Sequence, residues 1–169
     1  MKKSNKYLTK NKITVLDIIV KFEEIIIFTI GIFITLAIFL QVILRYIFMA
    51  PIIGLEEIAL LLVSWFYFIG ASYSIYTRSY IKADILSLIV KNPRVIKTFN
   101  IICFILSTMA SLGLFFYGLK YAIWSYKNNL ITPHFLVSAN FGFGALVVGA
   151  FLMTLHFIQL IKEERNRKI

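Results

Sequence analysis

Four apolar runs, each long enough to cross a lipid bilayer, constrain this chain more than any other feature. Ile25–Leu44, Ile58–Thr77 and Thr98–Leu119 carry no charged residue, and Phe135–Ile161 carries His156 as its one titratable group. A helix rises about 1.5 Å per residue, so roughly 20 residues span a hydrocarbon layer about 30 Å thick. Backbone polar groups find no water there, so a spanning segment is a helix or a strand of a closed barrel. Barrel strands alternate polar and apolar side chains over about ten positions. These runs do not alternate. The expected fold is all-α: an integral membrane four-helix bundle in one domain, residues 1–169, with spans near 25–44, 58–77, 98–119 and 139–161.

Composition agrees. Of the 169 residues, 60% are hydrophobic and 15% charged, and a soluble domain built this way would expose large apolar patches. The first run has the basic start of a signal peptide. Its apolar stretch is too long for one, and no small-x-small site follows it, so it is expected to stay as a span.

Charge sets the expected orientation. Six lysines precede residue 25; Arg78, Lys82, Lys91, Arg94 and Lys97 follow span two; Lys162, Arg165, Arg167 and Lys168 end the chain. With four spans, fifteen of the eighteen positive residues fall on one side. The positive-inside rule then places both termini in the cytoplasm. The net charge of +10 is thus a topology signal. No basic face interleaved with aromatics appears, so nucleic acid is not an expected partner.

Two segments are expected to lie along the interface. From Lys10 to Glu24, helical spacing groups Lys10, Thr14, Asp17, Lys21 and Glu24 opposite Val15, Ile19, Phe22 and Ile26, an amphipathic helix leading into span one. Glu23 breaks that pattern by facing the apolar side. Ala83–Lys91 is a shorter candidate. Asn92-Pro93 and Thr132-Pro133 each read as an N-cap followed by a first helical residue, opening helices three and four.

The residues argue against chemistry within this chain. No charge sits at mid-span, and the carboxylates fall at helix ends or beyond, where a proton-coupled exporter needs one inside. His134 and His156 on one helix would stand roughly 33 Å apart, too far to share a haem iron. The lone Cys103 excludes a redox pair, and no triad or phosphate loop is present. No catalytic residue, cofactor or metal is expected.

What remains concerns packing and docking. Gly70 and Ser74 lie one turn apart on helix two, and Gly142, Ala145 and Gly149 share a face of helix four. Such small residues let membrane helices approach closely, within the bundle or against another subunit. Arg45 ends helix one and Glu56-Glu57 opens helix two, each at the dipole end that suits its charge. A short loop would let Arg45 reach Glu57, as a solvated salt bridge or as part of a docking surface. Tyr121, Trp124 and Tyr126 fit an outer aromatic belt.

Several of these stretches carry a resemblance. Gln41-Val42-Ile43-Leu44-Arg45-Tyr46-Ile47-Phe48, then Pro51 and Glu56-Glu57-Ile58-Ala59, then Trp65 to Gly70-Ala71, resemble the first two helices of the small membrane subunit of tripartite ATP-independent periplasmic (TRAP) transporters. Lys82 and Asp84 match that family's cytoplasmic segment, with Tyr80 where a His is typical. Gly142 matches a Pro-x-Gly step, with Asn140 in place of the Pro. The resemblance runs from about Glu23 to the C-terminus. It implies a non-enzymatic scaffold in a bacterial inner membrane, surrounded by lipid. Its partners would be a large sodium-coupled transport subunit and a periplasmic substrate-binding protein. The cargo would be an organic acid of the C4-dicarboxylate or sialic acid class, and the two departures leave the substrate open. Gln41, Arg45, Glu56, Glu57, Lys82 and Asp84 would be its structural or docking polar residues. The small subunit of a tricarboxylate-type tripartite transporter shares this plan. A self-sufficient homo-oligomeric transporter is the alternative from another class.

Overall fold

The computed structural model describes residues 15–50, 52–78 and 93–166. Four helices account for nearly all of them: α1 Val15–Tyr46, α2 Leu55–Tyr76, α3 Pro93–Lys127 and α4 Asn140–Asn166. All four are long and apolar enough to cross a membrane. Ala83–Lys91, Lys82 and Asp84 lie outside the described residues, as does the part of the expected interfacial helix before Val15.

The helices outrun the hydrocarbon layer. At about 1.5 Å per residue, the 32 residues of α1 and the 35 of α3 reach roughly 48 and 52 Å. Hydrogen bonding from residue to residue does not stop where the lipid stops, so α1 runs unbroken from Val15 through Glu24 into the span. The described part of the segment expected at the interface is therefore the opening of α1, with no hinge before Ile25. The opening of α4 also differs from expectation. Thr132-Pro133 does not start the helix. An antiparallel bridge pairs Ile131 with Ser138, Thr132 N–H donates to the Val137 carbonyl at 2.8 Å, and the helix begins at Asn140. Thr132 Oγ1 accepts from Val137 N–H at 3.0 Å, so its side chain closes a turn rather than capping a helix.

α4 packs against both α2 and α3, and α1 packs against α2. The order across the bundle is thus α1, α2, α4, α3, an open row rather than a closed square. Burial follows that order. The most apolar stretch of α1 has no buried residue, while 28% of the corresponding stretch of α4 is buried. At the end that carries the chain termini, Ile75, Phe104 and Leu160 form a core with Met153, Phe157 and Ile161 around it. Arg78 pairs with Glu163 there at 2.6 Å, and Lys97 Nζ donates to the Arg165 carbonyl at 3.1 Å.

Lipid offers no hydrophobic drive between apolar helices, so packing and hydrogen bonds hold them. Ser111 and Thr154 supply one such bond between α3 and α4, buried, at 2.9 Å. Each hydroxyl also reaches a carbonyl of its own helix, Thr154 Oγ1 that of Ala150 and Ser111 Oγ that of Thr108, so either can donate across the seam. Thr154→Val is expected to lower bundle stability by about 0.6–1.5 kcal/mol, read as a reduced unfolding midpoint in mixed micelles. An unchanged midpoint would mean that apolar contacts alone hold this seam.

Candidate functional site

The loops opposite the termini interlock. Gly54 precedes α2 with φ +94°, a left-handed conformation that glycine adopts without strain. The segment after α3 presses on it: a Cβ at Gly54 would lie 2.7 Å from His134 Cβ and 2.8 Å from the Phe135 ring. Glu57 fastens the same contact. Its carboxylate accepts from His134 N–H at 3.2 Å and from Phe135 N–H at 3.4 Å. The α1–α2 and α3–α4 loops therefore form one surface. Ile47, Met49, Ile53 and Leu136 are exposed on it. Glu57 thus does not staple Arg45. Among the described residues Arg45 has no ion pair, and its guanidinium carbon stands 5.8 Å from the Tyr46 ring centroid. Two backbone N–H groups on a distant loop offer a carboxylate fixed donors, whereas an exposed arginine must be ordered to pair.

Glu57→Ala is expected to release this junction. The amides of His134 and Phe135 should then exchange hydrogen markedly faster, with the α2–α4 amides near Ala145 unchanged. Equal protection in both proteins would show that Gly54 packing alone holds the loops.

The small residues separate into two groups. A Cβ at Gly142 would meet Leu61 at 3.1 Å, Ala145 is fully buried, and Gly149 lies directly against Phe68. Trp65 adds to that seam, its indole N–H donating to the Phe141 carbonyl at 3.0 Å. Among the described residues Gly70 has nothing within 4 Å of a Cβ position, and Ser74 Oγ donates to the Ala71 carbonyl of its own helix. The first three thus face α2, and the other two leave an unfilled face on α2.

A buried polar cluster lies nearer the termini, and the sequence pattern alone does not reveal it. Glu23 is 2% exposed and His156 1%. His156 Nε2 stands 3.2 and 3.3 Å from the two Glu23 carboxylate oxygens, and Ser72 Oγ donates to Glu23 at 2.8 Å. Tyr76 packs its ring 5.5 Å from the imidazole and donates its hydroxyl to Asp17 at 2.8 Å. Glu23 is therefore inside the bundle, and the expectation of carboxylates only at helix ends fails for it. It stands on the ninth residue of α1, where the apolar face turns toward α2 and α4. Its departure from the amphipathic pattern was the one available clue. The cluster joins α1, α2 and α4 across an otherwise open row. Among the described residues no group of three or more His, Cys, Asp or Glu is placed to hold a metal ion.

Four long apolar helices, tied by buried hydroxyl and carboxylate contacts and topped by interlocked loops, make this a multi-pass membrane protein. Residues 34–166 match the family model for "Tripartite ATP-independent periplasmic transporters, DctQ component". The chain belongs to that family, the small permease component of TRAP transporters, which is a transporter part and not an enzyme. No curated protein matches it significantly.

Proposed function

We propose that this chain is the static scaffold of its transporter. It supports a large sodium-coupled membrane subunit and presents the Gly54–Leu136 loop surface to a periplasmic substrate-binding protein. The cargo would be an organic acid of the C4-dicarboxylate or sialic acid class, taken up across a bacterial inner membrane. Both termini would lie in the cytoplasm, as the basic tails favour.

The observation that carries this reading is the clamp of Glu57 on the His134 and Phe135 amides. It fixes two loops from different hairpins into one rigid, partly apolar surface on the side away from the basic tails. A rigid platform suits repeated docking, because little side-chain or loop entropy is lost at each encounter. The α1 flank and the open α2 face around Gly70 are surfaces against which a larger subunit could pack small-to-small.

Purification of the tagged chain from its own membranes should bring down a large membrane subunit. Reconstituted alone it should give no sodium-dependent uptake, and uptake should return when the large subunit and binding protein are added. Uptake by the isolated chain would overturn the scaffold reading in favour of a self-sufficient carrier.

A further inference from the structure

The groove between α1 and α2 holds two opposite charges that do not meet. Arg45 and Glu56 line one cleft of about 250 Å³ beside the α1–α2 turn, together with Gln41. Arg45 has no carboxylate partner among the described residues. Among the described residues Glu56 accepts a single long hydrogen bond, 3.4 Å, from Gln41 Nε2. Gln41 Oε1 is buried and has no donor among the described residues. A cation and an anion thus face the same space.

Below the charges the cleft becomes apolar, walled by Ala37, Ile38, Val42 and Ala59. It does not end there. Ile38 also lines a second groove that continues along α1 through Ile34, Gly31 and Ile27, against Val63 and Phe66 of α2. These α1 positions recur every three or four residues, so they form one stripe. From Arg45 to Ile27 the stripe is roughly 27 Å long. The two clefts meet at Ile38, with the charges at the α1–α2 turn and an apolar groove along the two helices beyond it.

We propose that this groove binds one phospholipid with an ethanolamine headgroup, in the leaflet on the side of the α1–α2 turn. Its phosphate sits on the Arg45 guanidinium, a planar donor suited to phosphate oxygens. Its ammonium donates to the Glu56 carboxylate. One acyl chain follows the stripe from Ile38 toward Ile27. A choline headgroup has no N–H to give, and a glycerol headgroup has hydroxyls but no cation, so neither supplies Glu56 with a charged donor. The inference stands on the α1–α2 geometry alone and is independent of the transport reading.

Native mass spectrometry of the full-length chain, stripped of lipid and titrated with acyl-matched ethanolamine, choline and glycerol phospholipids, tests it. The ethanolamine lipid should bind about tenfold tighter than the other two, as one charge-assisted contact implies. Glu56→Gln should erase that preference while leaving the glycerol lipid unaffected. Arg45→Gln should weaken all three by about tenfold. Ala59→Phe should lower occupancy whatever the headgroup, by filling the apolar wall. Equal retention of the three lipids by the unaltered protein would overturn the proposal without any variant having to fold. So would unchanged retention by Arg45→Gln in a protein of unchanged helicity.

Discussion

Removal of Glu23 is expected to destabilise the bundle by about 2–6 kcal/mol, because it strips the carboxylate from two buried hydrogen-bond partners at once. Glu23→Ala leaves Ser72 Oγ and His156 Nε2 facing each other's vacancy in a region that water does not enter freely. Each buried hydrogen-bonding group left without a partner costs about 1–3 kcal/mol. His156→Ala should cost a similar amount, since it leaves Glu23 with Ser72 as its remaining hydrogen-bond partner among the described residues. Glu23→Gln keeps an acceptor for Ser72 and should cost clearly less. The double replacement Glu23→Met/His156→Leu removes both ends at once and should recover much of the loss, as apolar exchange of buried pairs does elsewhere.

Thermal unfolding of the five proteins in one detergent checks this. If Glu23→Ala melts with the parent, the cluster is ornamental and α1 is held by its α2 contacts alone. That outcome would matter for the fold. α1 lies at the edge of the row, its most apolar stretch unburied, and packs against α2. The Glu23–His156 contact is its tie to α4, across 133 positions of sequence.

The sequence revealed the helices for a simple reason. Long runs without charge can be satisfied in lipid in very few ways, so existence and number follow from composition. Boundaries did not follow as easily. A proline after a threonine serves both the first turn of a helix and a tight loop, and Thr132-Pro133 serves the loop. The polar contacts were hidden for a different reason. Helix dipoles and loop length favoured Arg45 with Glu57, but the competing donors are backbone N–H groups of His134 and Phe135. Backbone donors carry no residue signature, so no motif announces them. The Glu23 cluster was half legible, through one residue on the wrong face of a helix. Its partners Ser72 and His156 are set by the order in which helices pack, and no local pattern encodes that order.

Small residues show the same division between what spacing encodes and what it does not. Gly142, Ala145 and Gly149 signal a close approach, as do Gly70 and Ser74, but spacing alone does not name the approaching helix. Among the described residues α2 fills the first face, and Gly70 meets nothing within 4 Å. Substitutions should therefore diverge. At Gly149 an added Cβ would lie 2.5 Å from Phe68 Cβ and 2.9 Å from the Phe68 carbonyl oxygen. The second obstacle is backbone, so no rotamer change relieves it, and α2 must move off α4. Gly149→Ala is expected to cost about 1–3 kcal/mol, Gly149→Val about 3 kcal/mol or more, and a charged side chain there should block assembly altogether. Gly70→Ala in the isolated chain should stay within about 0.5 kcal/mol of the parent. If the open face around Gly70 receives a helix of the large subunit, Gly70→Leu should lower the yield of the complex while leaving the melting point of the lone chain in place. Equal melting points for Gly149→Val and the parent would show that α2 and α4 can separate freely, and the close α2–α4 seam would then not be what orders the row.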